Sequence, residues 1–391
     1  MSRPFRYDRL FLILGVLLAL GFLSAQAVNR IEYYRFAAAK STMPAELKNI
    51  PGVHPREVVL PISSVDSNWW IMHTEAMLRA GDWRVRTTER DNAPLGREVH
   101  WSSGLVWILA GLAWLIHIAS GMGTEASVQQ AALLAGPFML MGFVLLFAWA
   151  TARRWGGAVG GFIALALATL APLDAFFCAG EADHHGMVTC FALGSVLAAM
   201  AAGAGRVALP GCGVAGGAVP ERAAARKWMI ASGLLGAAGL WVSAATVVPA
   251  FAGIALGAAV AAWRGRGLAE DTDTEAAPEL WRWWGAAGAA GSVAFYLLEY
   301  APSHFGWRLE VNHPLYALAW LGGAELLARL CRRVGGGVFA SGARGWAVSG
   351  ACVLAVLVLP AAVKLGGVAL FAVQDNFLWN LHEGYILEFR S

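Results

Sequence analysis

The sequence predicts an all-α membrane protein that crosses the bilayer several times. Of its 391 residues, 58% are hydrophobic and only 14% are charged, whereas soluble proteins carry about 25% charged residues. The hydrophobic residues are concentrated in runs about as long as a membrane-spanning helix requires. The net charge of +3 is too small to suggest a nucleic-acid partner, and five cysteines without a Cys-x-x-Cys pair argue against a disulfide framework or a zinc-thiolate site.

Nine apolar runs are the expected spans: 10–23, 129–150, 156–176, 187–204, 228–246, 248–263, 283–300, 315–331 and 346–372. Arginine clusters follow alternate runs, so the positive-inside rule predicts a cytoplasmic N-terminus and an external C-terminus. A further run, 101–118, is expected to be re-entrant or interfacial. If it crossed, Asp66 and Asp183 would fall on opposite sides of the membrane, or Arg153 and Arg154 would be external.

The N-terminal segment has two interpretations. Arg3, Arg6 and Arg9 precede the first apolar run, and small residues follow it, which is typical of a signal peptide and also of an uncleaved first span. We favour the uncleaved span; either interpretation makes residues 28–100 a large first external loop. Within that loop, residues 66–79 predict a short amphipathic helix at the membrane surface. We expect one transmembrane domain over 1–391, without a separate soluble domain.

The densest group of ionisable residues is Glu181-Ala182-Asp183-His184-His185, between two apolar runs. Charged groups at such a place are costly to desolvate and are functional candidates. An extended segment would point Glu181, Asp183 and His185 to one side, forming part of a divalent-cation site. Carboxylates suit Mg²⁺ or Mn²⁺, and an imidazole favours Mn²⁺ or Zn²⁺. The alternative is a solvated loop in which Asp183 only caps the next helix.

Three other external acids could join Asp183 in holding a metal ion against a phosphorylated substrate: Asp66, Glu310 and Glu383. Each has a simpler interpretation. Asp66 opens the surface helix as a cap, Glu310 pairs with nearby Arg308, and Glu383 belongs to an ordinary tail. From the residues alone, His313 is interpreted as a loop residue at the interface.

The order of these motifs resembles the GT-C membrane glycosyltransferases, specifically the oligosaccharyltransferase catalytic subunits. Val65-Asp66-Ser67-Asn68-Trp69-Trp70, followed by Gly81-Asp82-Trp83, resembles that family's first external loop. Gly180-Glu181-Ala182-Asp183-His184-His185 resembles its second acidic motif. Arg308-Leu309-Glu310-Val311-Asn312-His313-Pro314 and residues 377–383 are similar to two later external segments.

The resemblance implies a GT-C-like fold of about nine spans and a catalytic role for Asp66, Asp183 and Glu383. It implies that Mn²⁺ or Mg²⁺ binds to four residues: Asp66, Glu181, Asp183 and His185. It places substrate contacts at Arg308, Glu310 and His313. The implied reaction moves a sugar or oligosaccharide from a polyprenyl phosphate or pyrophosphate to an acceptor, at the periplasmic or extracellular face of the cell's inner membrane.

The sequence also departs from the family's pattern. It ends eight residues after Glu383, it has no Trp-Trp-Asp-Tyr-Gly acceptor motif, and 241–246 lacks the acidic residue expected in bacterial relatives. These departures predict a fragment, a partner chain that completes the C-terminal part, or an acceptor other than protein. Two other functions stay open: a transporter or flippase for a lipid-linked sugar, and an inactive or partial subunit of a glycosylation complex.

Overall fold

The computed structural model describes residues 4–40, 65–89, 94–99, 101–171, 173–209, 219–266, 274–301, 313–336 and 342–366. These residues are mostly α-helical, as predicted. They form two compact units. The first contains Met1–Val85 and Ser103–Met187, and the second contains Arg86–Ser102 and Val188–Ser391.

The first unit is built from five helices and one short 3₁₀ helix. The helices are α1 (Pro4–Lys40), α2 (Val65–Ala80), α3 (Gly104–Ser120), α4 (Thr124–Trp155) and α5 (Gly157–Thr169). The 3₁₀ helix is Asp174–Phe177. The first turn of α6 (His184–Ala201) also belongs to this unit, and the rest of α6 belongs to the second.

Helices α1, α4 and α5 pack together in the first unit. A Cβ on Gly15 of α1 would lie 2.6 Å from the Cα of Gly161 in α5, so the two glycines let the helices touch backbone to backbone. The carboxylate of Asp8 accepts the main-chain N–H groups of Gly157, at 2.6 Å, and Ala158, at 2.8 Å. It therefore caps the N-terminus of α5 from another helix.

The second unit contains five complete helices: α7 (Arg222–Val242), α8 (Ala244–Arg264), α9 (Leu280–Tyr300), α10 (Leu315–Val334) and α11 (Ala343–Gly366). Two antiparallel strand pairs join its loops. β1 (Thr87–Thr88) pairs with β2 (Arg97–Glu98), and β3 (Arg206–Ala208) pairs with β4 (Thr274–Ala276) in the register Val207 to Glu275.

The core of the second unit lies between α7, α9 and α10. Glycines admit bulky neighbours there: a Cβ on Gly288 would lie 2.3 Å from the ring of Trp320, and a Cβ on Gly233 would lie 2.3 Å from the carbonyl oxygen of Trp284. The indoles of Trp284 and Trp320 meet at 4.5 Å and 69°. Small residues beside aromatic rings are how helices pack closely when lipid supplies no hydrophobic force between them.

Within the described residues, four helices are long and apolar enough to cross a membrane: Tyr7–Ala37, Thr124–Trp155, His184–Ala201 and Thr246–Arg264. A helix also lies at each of the other predicted runs, but the count of nine crossings stays a prediction. The predicted span 156–176 is too long, because the helix that occupies it, α5, ends at Thr169 after 13 residues. The helix ends because Leu170 is extended, with φ −77° and ψ 103°.

Candidate functional site

A short loop between the 3₁₀ helix and α6 carries the acidic motif. Its main chain is held at two points, because the N–H of Gly180 donates to the carbonyl of Leu133 in α4 at 3.3 Å, and the N–H of Glu181 donates to the carbonyl of Cys178 at 2.9 Å. Gly180 has a φ of 85°, which side-chain-bearing residues rarely adopt. Ala179 and Ala182 are buried. The loop is therefore packed into the first unit.

Asp183 is the last residue of this loop and is 7% exposed. Its Oδ1 accepts the main-chain N–H of His184 at 2.6 Å and lies 2.8 Å from Nδ1 of the same residue. Its Oδ2 lies 3.6 Å from Nε2 of His185. One carboxylate oxygen thus caps the start of α6, and the other faces a second imidazole at a distance too long for a hydrogen bond.

Aromatic rings surround the two imidazoles. The rings of His184 and His185 are stacked, with centroids 4.5 Å apart and planes at 29°. Trp70 of α2 lies 5.4 Å from His184, and Phe176 lies 5.9 Å from His185. The centre is therefore half-closed by apolar side chains, which strengthens electrostatic interactions within it.

Opposing effects act on the pKa of Asp183. Burial raises it, but the hydrogen bond from His184 and the nearby charges of His184 and His185 lower it more, so the net pKa lies below the usual value of an aspartate. The group is therefore a carboxylate at neutral pH. A carboxylate is the form that binds a metal ion.

Asp183, His184 and His185 each offer one ligand atom, and all of these atoms lie within 4.8 Å of one another. One oxygen and two nitrogens form a donor set that suits Mn²⁺ or Zn²⁺ better than Mg²⁺. His184 was absent from the sequence-predicted ligands, because alternation in an extended segment would point it to the opposite side. The segment instead becomes helical at His184, and this turn brings both imidazoles to one carboxylate.

Two other predicted metal ligands, Asp66 and Glu181, belong to the first unit but lie outside the three-residue cluster found among the described residues. The predicted surface helix is α2, and exposed Asp66 stands in its first turn, four residues before the Trp70 that contacts His184. Glu181 is half-buried and lies outside the cluster of ligand atoms found among the described residues. Shared metal binding by Asp66 and Glu181 stays a prediction.

The remaining predicted site residues belong to the second unit. His313 is buried, and its Nδ1 accepts the N–H of Leu315 at 3.1 Å at the start of α10. Burial lowers the pKa of His313. Its imidazole therefore caps the start of α10, and its predicted contact with substrate stays a prediction. Arg308, Glu310 and Glu383 lie outside the described residues.

Sequence reasoning gave no role to one buried acid in the second unit. Glu299 near the end of α9 is fully buried, and its Oε1 accepts the indole N–H of Trp241 at 2.7 Å. Arg86 donates to the main-chain carbonyl of Glu299 at 3.5 Å. The 241–246 segment lacks an acid of its own, but the fold places one against it. The available signal was an acidic residue at the end of an apolar run.

No protein-family model matches this sequence, and no curated protein sequence is significantly similar to it. The fold resembles part of a membrane oligosaccharyltransferase. The solved structures it resembles are of the archaeal oligosaccharyltransferase AglB from Archaeoglobus fulgidus. The complex with an inhibitory peptide and a dolichol-phosphate has a TM-score of 0.55 and 15% identity over 96% of this chain and 39% of that chain. The complex with Zn and sulfate has a TM-score of 0.53 and 14% identity over 92% and 40%.

The chain thus spans about two-fifths of the length of the structures it matches, which are 39% and 40% covered. At this identity the likeness concerns the fold. The resemblance to the oligosaccharyltransferases, expected from short motifs, is confirmed at that level.

Proposed function

We propose that this protein is a membrane glycosyltransferase of the GT-C type. It transfers a sugar or oligosaccharide from a polyprenyl phosphate or pyrophosphate to an acceptor at the outer face of the cell's inner membrane. The observation that carries the proposal is the buried carboxylate of Asp183 between two imidazoles, in a chain with an oligosaccharyltransferase fold.

The position of the centre supports an anionic, lipid-linked donor. It lies at the N-terminus of α6, where the helix dipole favours negative charge, and α6 is one of the helices able to cross a membrane. A donor anchored in the bilayer would present its phosphate at such a place. AglB has been solved with a dolichol-phosphate and with a tethered peptide that contains the acceptor sequon, and both ligands suggest the kinds of molecule to test here.

The residues of the first unit fit a divalent cation. Its proposed ligands are the sequence-predicted set together with His184: Asp66, Glu181, Asp183, His184 and His185. A bound Mn²⁺ or Mg²⁺ would supply positive charge to the leaving phosphate. Asp183 would hold its position by capping α6 through Oδ1, which leaves Oδ2 directed at His185 and available to a ligand.

The other roles concern the two substrates. Asp66 orients the acceptor nucleophile, Glu383 helps to hold the acceptor, and Arg308 donates two hydrogen bonds to the donor phosphate. Glu310 belongs to the same substrate segment as Arg308. His313 anchors the end of that segment, because its imidazole is buried and bonded to the first turn of α10.

One observation favours a transporter or flippase for a lipid-linked sugar instead. Glu299 is a fully buried acid in a helix of the membrane domain, and such acids mark ion or proton pathways in transporters. A transporter would depend on Glu299 and would be indifferent to Asp183.

The test is glycosyl transfer from a polyprenyl-linked donor in membranes, with Mn²⁺ or with a chelator. The variants are Asp66→Ala, Asp183→Ala and, as a matched acidic control, Glu221→Gln at the exposed start of α7. We expect chelation and either alanine variant to reduce transfer by about 100-fold or more, the scale of losing a main electrostatic contact to a transition state, and Glu221→Gln to leave it unchanged. Transfer that survives both alanine substitutions would show that the site is elsewhere. Donor flipping that is lost in Glu299→Gln would support the transporter.

A further inference from the structure

Pro137 lies inside α4 and has no main-chain N–H. The carbonyl of Leu133, four residues earlier, therefore lacks the donor that a regular helix would provide. An unpartnered carbonyl is costly in a membrane helix. Here the N–H of Gly180 donates to that carbonyl at 3.3 Å. A proline in one helix thus creates the acceptor that holds the acidic loop.

The neighbouring glycine makes room for the same loop. A Cβ on Gly136 would lie 2.8 Å from the carbonyl oxygen of Phe177 and 3.0 Å from that of Cys178. Leu133, Gly136 and Pro137 are all buried. We call these three residues the α4 notch, because the missing N–H and the missing side chain together admit the main chain of the loop.

The notch is connected to both sides of the metal centre. Gly180, bonded to Leu133, precedes Asp183 by three residues, so the anchor and the carboxylate lie within roughly 10 Å along the chain. Phe177, whose carbonyl lies over Gly136, places its ring against Gly186 in the first turn of α6, where a Cβ would lie 2.6 Å from it. Gly186 directly follows His185.

We infer that the α4 notch is a positioning element for the Asp183–His184–His185 centre, and that Pro137 acts on the metal site through the Leu133 carbonyl. This inference rests on the proposed metal site. It assigns Pro137 a role that helix stability alone cannot explain, since a proline inside a helix weakens that helix.

Pro137→Ala tests the inference because it has opposite expected effects on the helix and on the site. The alanine N–H competes with Gly180 for the Leu133 carbonyl and completes α4. We expect the Tm of the purified protein to stay the same or rise. We expect the Kd for Mn²⁺, followed by the spin-resonance signal of free Mn²⁺, to rise about tenfold, as when an outer contact of a metal ligand is lost. Amide hydrogen exchange over 178–183 should become faster.

Pro249→Ala is the matched control. Pro249 also lies inside a membrane helix, α8, but in the second unit. Its replacement should leave the Kd for Mn²⁺ and exchange over 178–183 unchanged. Gly136→Ala is a second test of the notch, because its new methyl group meets the Phe177 carbonyl, and it should raise the Kd in the same direction.

The outcomes separate this inference from the proposed function. If the wild type binds no Mn²⁺, the metal centre of the proposed function fails, and amide exchange alone decides the role of the notch. If the wild type binds Mn²⁺ and Pro137→Ala binds it equally well with unchanged exchange, the notch does not position the centre. A higher Kd for Mn²⁺ together with a lower Tm would mean that Pro137→Ala destabilises the whole protein. That result would also overturn the inference.

Discussion

The two units of the molecule use buried polar side chains in different ways. In the second unit, three buried tryptophan N–H groups have polar partners: Trp241 donates to Glu299 at 2.7 Å, Trp284 to Ser232 at 3.1 Å, and Trp320 to Ser292 at 3.1 Å. In the first unit, Oδ1 of Asp183 accepts the main-chain N–H of His184, whereas Oδ2 lies 3.6 Å from Nε2 of His185.

The difference separates structural polar contacts from the centre proposed to bind a cation. These indole N–H groups donate hydrogen bonds to a carboxylate or a hydroxyl within the protein. Such bonds hold helices together where the burial of apolar surface provides no force between them. A carboxylate with two imidazoles at close range is the arrangement that the proposed function assigns to a cation. The comparison predicts that substitutions in the second unit lower stability without changing metal affinity, and that those in the first unit do the reverse.

The largest effect on stability is expected from Gly288→Ala. The new Cβ would lie 2.3 Å from the ring of Trp320 and would displace the indole that donates to Ser292. We expect the free energy of unfolding to fall by about 3 kcal/mol, at the upper end of overpacking effects, with Mn²⁺ binding unchanged at temperatures where the protein is folded. Gly253→Ala in α8 is the control, because its Cβ would meet nothing within 4 Å. Equal stability of the two variants would contradict the packing described.

His185→Ala should have the next largest effect, and on the site alone. Removing one imidazole from the three-residue cluster should raise the Kd for Mn²⁺ by about 30-fold, or about 2 kcal/mol, with Tm nearly unchanged. Titration calorimetry and thermal unfolding in detergent measure the two quantities. His117→Ala, an exposed histidine of α3, serves as the control. A large fall in Tm without a change in Kd would place His185 among the structural contacts.

Trp241→Phe tests the buried carboxylate of the second unit. Phenylalanine keeps the ring stacked on Phe295, at 4.6 Å and 6°, but removes the N–H that donates to Glu299. We expect a loss of about 1.5 kcal/mol in unfolding free energy, the upper end of the usual contribution of one hydrogen bond. Trp263→Phe, at a 60% exposed position, should cost much less. If glycosyl transfer falls while stability does not, Glu299 belongs to the active site.

Ser232→Ala should have the smallest effect. Its hydroxyl donates to the Ser195 carbonyl at 2.7 Å and accepts the N–H of Trp284. Losing it should cost about 1 kcal/mol by thermal unfolding. A double-mutant cycle with Ser195→Ala should give a coupling of about 0.5 kcal/mol or more, because the two hydroxyls lie 3.2 Å apart. Strict additivity would show that the two helices are not joined through these serines.

The sequence predicted the helical fold and singled out the acidic motif as the candidate site. Alternation of apolar runs with polar loops located the helices, and the cost of burying charge marked Asp183 and its neighbours. It did not reveal that His184 joins the centre, because the local conformation at one residue decides on which side an imidazole lies. It also did not pair Glu299 with Trp241, since 58 residues separate them and no local pattern connects them.

The sequence by itself determined the class of protein, because composition and apolar periodicity decide what can be buried in a bilayer. It also determined the acidic motif, since ionisable residues between apolar runs are costly unless they have a use. Only the tertiary structure decided which groups meet. In the sequence, Pro137 and Gly180 look like ordinary helix-breaking residues. In the fold, Pro137 leaves the Leu133 carbonyl without its helical donor, and the N–H of Gly180 donates to that carbonyl. Such a contact depends on distances between distant segments, and those distances come from packing.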